Sequence, residues 1–123
     1  MIVGDMIGAG AGMTKLCKLW ENPNPSSSFT PTNPITISGV QNYNLLLISF
    51  DNDVTNTNMA GENVLIVPTD GLRYQVTFVK NSDGHIALRT AMVTTDTETF
   101  TNAVLSGTQN NNLLVPLTIW GIA

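Results

Sequence analysis

Apolar side chains return at every second residue along most of this chain, and three stretches, 43–50, 64–67 and 113–122, carry them on both parities. Leu45 and Leu47 alternate with Leu46, Ile48 and Phe50, and Val115, Leu117 and Ile119 alternate with Leu114, Trp120 and Ile122. A period of two is the signature of a strand. A strand in a small two-sheet sandwich packs one face on the core and turns the other to solvent. Each large apolar side chain left in water forgoes about 1.5–3 kcal/mol of burial free energy. The pattern therefore predicts that some strand faces meet another layer or another copy of the chain.

Read the same way, the chain divides into strands over 15–20, 34–38, 43–50, 63–67, 72–80, 85–95, 99–106 and 113–122. Their spacing of about ten residues is the rhythm of a sandwich or barrel. No ten-residue stretch shows a capped 3.6-residue period. The expected fold is all-β: an antiparallel β-sandwich, jelly-roll-like, with about eight strands and almost no helix. The cleanest alternation puts Leu72, Tyr74, Val76 and Phe78 inward and Arg73, Gln75 and Thr77 outward. After it, Asn81-Ser82-Asp83-Gly84 fits a type I turn closed by a left-handed glycine, a three-residue loop with a bulge. That bulge would set Phe78 opposite Leu88 and Tyr74 opposite Met92. A plain four-residue loop would instead oppose Phe78 to Ala87 and Val76 to Arg89. Apolar-on-apolar pairing favours the bulge.

Two regions emerge. Residues 1–14, rich in Gly and Ala, lack the side chains for a core of their own and form a flexible or partner-ordered arm. Residues 15–123 form the sandwich head. The glycines at 8, 10 and 12 invite comparison with a phosphate-binding loop, but no preceding strand and following helix frame them. Between the first two strands, Trp20-Glu21-Asn22-Pro23-Asn24-Pro25-Ser26-Ser27-Ser28 reads as extended, turn-rich linker, continued by Pro31 and Pro34.

At 123 residues the chain is one domain by length. Only 11% of residues are charged, against about 25% in soluble domains, so Asn, Thr and Ser supply most of the polarity. Such a surface suits close packing in an assembly, since few ions need desolvating. A net charge of −4 with five basic residues excludes a nucleic-acid footprint; Lys15 and Lys18 are a pair and not a patch. No apolar run reaches the roughly 20 residues of a membrane span. The opening lacks the basic region of a signal peptide, and Asp5 interrupts its apolar stretch. A single cysteine, Cys17, precludes an intrachain disulfide, consistent with synthesis in a cytoplasm.

Candidate chemistry is sparse. Asp51, Asp53, Thr55 and Thr57 alternate oxygens that a Ca²⁺ ion would accept, yet the glycine and glutamate that complete a calcium loop are missing, and a solvated loop is the better reading. His85 is the sole histidine, so one chain holds neither a histidine triad nor a multi-histidine metal site, and its place beside a turn predicts exposure. The acids are scattered over loops, none in an apolar run that would raise its pKa, and paired carboxylates such as Asp51, Asp53 and Asp96 offer only a formal glycosidase. Trp20, Tyr43, Tyr74 and Trp120 are candidates for stacking on sugars, with core packing the default. Cys17 reads as a small buried hydrophobe rather than a reactive thiol. The sequence thus assigns no catalytic, cofactor-binding or metal-binding residue and no cofactor, and points to a building part and not an enzyme.

Lys18-Leu19-Trp20-Glu21-Asn22-Pro23-Asn24-Pro25, Ser28-Phe29, the strand at Ile35-Thr36-Ile37, Tyr43-Asn44-Leu45-Leu46-Leu47-Ile48 and the closing Val115-Pro116-Leu117-Thr118-Ile119-Trp120-Gly121-Ile122 together resemble the C-terminal head domain of bacteriophage tail fibres and related virion surface proteins. The resemblance spans residue 15 to the C-terminus. It implies a β-sandwich head, commonly homotrimeric, displayed on a virion assembled in the host cytoplasm, and it brings no catalytic residues. Fibre heads follow a long shaft, whereas a short arm precedes this domain. The expectation is therefore a decoration, head-fibre, baseplate or tail-fibre tip subunit that docks on other virion proteins through residues 1–14. Its loops at 51–61 and 95–98 would face a host surface. The alternative is a receptor- or glycan-binding module that recognises that surface.

Overall fold

The computed structural model describes residues 15–56, 61–80 and 84–123. Arm 1–14 and turn residues 81–83 lie outside the described residues. The rest is two antiparallel sheets, as the alternation predicts. The strands are β1 Leu16–Glu21, β2 Ile35–Thr36, β3 Leu45–Asp53, β4 Glu62–Ile66, β5 Arg73–Lys80, β6 His85–Thr94, β7 Thr97–Phe100, β8 Val104–Leu105, β9 Thr108–Gln109 and β10 Leu113–Ile122. One 3-10 turn, Val40–Asn42, is the helical content among the described residues. One sheet runs β1-β10-β3-β4; in the other, β2 pairs β7, β7 pairs β6, and β6 also pairs β5 and β8, with β9 on β8.

The core lies between the sheets. Leu46, Ile48 and Phe50 point into it from β3, Ile66 from β4, Val76 and Phe78 from β5, and Ala87, Ala91 and Val93 from β6. Phe50 and Phe29 each meet Phe100 edge-on, at 6.0 and 5.8 Å between centroids, and Trp20 meets Phe29 likewise at 6.3 Å. These T-shaped contacts tie both sheets and the 22–34 segment into one aromatic chain.

Four expectations are corrected. The expected strand over 99–106 is broken: β7 ends at Phe100, residues 101–103 carry no strand, and β8 is cut short where Ser106 and Gly107, both at positive φ (48° and 88°), close a tight two-residue hairpin between Leu105 and Thr108. The β5–β6 register is that of the plain four-residue loop: Lys80 opposes His85, Phe78 opposes Ala87 and Val76 opposes Arg89. Gly84 does take φ of 71°, but no bulge follows it. Small Ala87 and Ala91 make room for Phe78 and Tyr74, and Arg89 turns inward because backbone carbonyls await it. Within β10 the alternation breaks between Pro116 and Thr118. Pro116 has no amide hydrogen to give a ladder, which suits an irregularity there. Beyond it the parity flips, so Ile119 is buried while Leu117 is half-buried. Leu72, expected inward, precedes β5 and is exposed.

Candidate functional site

Strand register fixes what the four-stranded sheet presents on its outer side. Lys18 pairs Trp120, Trp120 pairs Leu47 and Leu47 pairs Leu65, one rank crossing all four strands. The adjacent rank is Leu16, Ile122 and Leu45. The next rank the other way is polar: Glu21, Thr118, Ser49 and Asn63, with Ser49 donating to Asn63 at 2.8 Å. Two of these three ranks are therefore apolar apart from Lys18, and the third is polar. Leu65 is 57% exposed and Val67 52%, while Trp120 is half-buried beneath the Lys18 ammonium, 5.3 Å from its centroid. Both-parity apolar strands do place their second face outside the single-chain core.

A second feature lies where β1 runs into the 22–34 segment. Asn22 is buried; its backbone N–H donates to Leu117, its amide donates to the Pro116 carbonyl at 2.8 Å, and its side-chain oxygen accepts the Asn24 N–H at 2.8 Å. The loop then folds back over Phe29, whose N–H donates to Asn111. Between them is a cavity of about 340 Å³, lined among others by Trp20, Phe29, Asn24, Ser28, Thr32 and Asn33.

Arg89 holds this end together. The side chain is fully buried and donates to the carbonyls of Thr101 (2.7 Å), Leu113 (3.0 Å) and Phe29 (3.2 Å). Its guanidinium also lies 5.3 Å from the Phe29 ring centroid. Burial lowers its pKa to about 10, so it remains a cation at neutral pH. Three backbone oxygens and an aromatic face take the place of a counter-carboxylate.

Glu98, on β7, is the other fully buried ionisable residue among the described residues, and it overturns the expectation that no acid sits where its pKa would rise. Burial pushes its carboxyl up to about 8 and outweighs the nearby Thr99 amide, which acts to lower it. Neither carboxyl oxygen has a hydrogen-bond partner of good geometry. A proton on Glu98 at neutral pH follows. Sealed from solvent, the group does not present itself to a substrate.

The remaining sequence candidates are dispersed. Asp51 and Asp53 belong to β3 rather than to a loop; Asp53 is buried and accepts the Thr55 N–H and hydroxyl, and Asp51 accepts the Asp53 N–H. Thr57 lies outside the described residues. No three His, Cys, Asp or Glu side chains gather among the described residues. Asp96 is spent on structure, accepting from the Gly39 amide at 3.1 Å, and within the expected 95–98 contact loop Glu98 is buried and Thr97 half-buried. His85 is exposed. Cys17 is exposed rather than buried, beside the Tyr43 hydroxyl. Tyr43 packs its ring on Gly121, and Tyr74 donates to the Val67 carbonyl at 2.8 Å. Of the four candidate aromatics, Trp20 alone lines the cavity.

Arg89 and Phe29 escaped the sequence reading. The alternation Ala87, Arg89, Ala91, Val93 carried the signal for the first; nothing local marked Phe29 as part of a site. No family model, curated protein or solved structure matches this chain.

Proposed function

We propose that the chain is a structural subunit of a bacteriophage virion that assembles with copies of itself through the outer face of its four-stranded sheet. The observation that carries this reading is the rank Trp120–Leu47–Leu65 with its neighbours Leu16, Ile122 and Leu45. An apolar patch spanning every strand of a sheet and bounded by a polar rank has the anatomy of an interface core with its rim. The low charge content supports it, because burying this face strands few ions. The virion assignment rests on the resemblance of the segment from Leu19 to Pro25 and of β10 to phage head domains, which also suggests a homotrimer. Residues 1–14 then dock the subunit on other virion proteins.

Leu65→Glu tests the interface without touching the core, since Leu65 is largely exposed in one chain. Light scattering should show the variant as a monomer with an unchanged circular dichroism spectrum, where the parent chain is an oligomer. A variant that stays assembled refutes the placement. An antiserum against the chain that fails to label purified particles refutes the virion assignment. For the arm, a form lacking residues 1–14 should fold and assemble yet be missing from particles.

A further inference from the structure

We infer that the cavity between β1 and the 22–34 segment is a binding site for a neutral saccharide of one or two rings. Its volume of about 340 Å³ lies at the small end of ligand sites. Trp20 and Phe29 supply an apolar wall against which the C–H face of a pyranose packs. Asn24, Ser28, Thr32 and Asn33 line the rest, and none of their side chains hydrogen-bonds to any described residue. Two amides and two hydroxyls, each able to donate and accept, match sugar hydroxyls, which do both. No ionisable side chain lines the cavity. The lining therefore offers a charged ligand no counter-charge, whereas it matches a neutral one group for group.

The wall is built before any ligand arrives. Phe29 is fixed on both sides of its peptide, by its N–H to Asn111 and by Arg89 to its carbonyl, with the guanidinium against its ring. Trp20 is held edge-on by Phe29. Asn22 spends its side chain on Pro116 and Asn24, which sets the angle at which the loop leaves β1. Rigid aromatics beneath adaptable polar side chains keep the ordering cost of binding small. The inference depends neither on self-assembly nor on a virion, because the cavity lies on the core side of Trp20 and not on the apolar outer face.

The test is a titration of the isotope-labelled full chain, followed in amide and indole nuclear magnetic resonance spectra. The probes are methyl glycosides and disaccharides of neutral hexoses and N-acetylhexosamines, with a sialylated trisaccharide and adenosine alongside. Saturable shifts should appear at residues 22–35 and at the Trp20 indole for a neutral sugar. Asn33→Ala and Thr32→Val, both at exposed positions, should each weaken binding about fivefold by removing one hydrogen bond, with the remaining resonances unmoved. No saturable shift with any neutral sugar overturns the inference. So do shifts centred elsewhere, tighter binding of the sialylated sugar or adenosine, or affinity unaltered in both variants.

Discussion

Glu98→Gln should make this domain more stable, increasingly so as pH rises. In the folded chain the carboxyl is buried without a well-formed hydrogen bond and titrates at about 8, against 4.5 for the free group. A folded-state pKa above the unfolded one means that the fold binds this proton more tightly. Stability from this group is therefore whole below about pH 4.5, falls as pH rises towards about 8, and stays low above it. At about 1.36 kcal/mol per pH unit, the loss reaches roughly 3 kcal/mol at pH 7 and roughly 5 kcal/mol above pH 8. Glutamine keeps the size and cannot ionise, so it escapes that loss while sharing the cost of a buried polar group. Urea denaturation at fixed protein concentration measures the difference. With a slope of about 1–3 kcal/mol/M, the variant's midpoint at pH 7 should lie roughly 1–3 M above the parent's. The two midpoints should converge near pH 4.5. Parallel pH profiles for parent and variant would refute the argument, because they would mean that Glu98 ionises in the fold as freely as in water.

Two further substitutions probe the architecture. Arg89→Met preserves the length of the side chain but strands the carbonyls of Thr101, Leu113 and Phe29, which should cost about 3 kcal/mol or more in chemical denaturation; a loss under about 1 kcal/mol would contradict its role. Gly121→Ala would place a Cβ 2.5 Å from the Tyr43 ring and should cost about 1–3 kcal/mol, and the penalty should vanish in a Tyr43→Ala background when both are followed by thermal melting.

Much of the fold was legible because it depends on parity alone. Leu46, Ile48 and Phe50 face inward with Leu45 and Leu47 outward, and Val76 and Phe78 follow the alternation read from β5. Parity failed where a charged residue belongs inside. Arg89 faces the core because carbonyls of Phe29 and Leu113, 60 and 24 residues away, converge there, and no local pattern encodes a distant carbonyl. With Arg89 taken as outward, apolar pairing pointed to the wrong register for the whole β5–β6 hairpin. Glu98 was legible in principle, since Phe100 two residues on is inward and β7 is regular. The cavity was half-legible: Trp20 stood out, whereas Phe29, Thr32 and Asn33 looked like linker until the loop was seen folded back and pinned by Arg89. The Ser106-Gly107 hairpin was hidden by a serine in a left-handed conformation that asparagine or glycine would have advertised.

The mass of the parent chain in solution, measured by light scattering across a dilution series, decides whether the apolar outer face of the four-stranded sheet is covered by another copy. A closed oligomer, a trimer by resemblance, should persist to micromolar concentration and dissociate on further dilution. A monomer at every concentration, with Leu65 and Trp120 open to solvent, would contradict it.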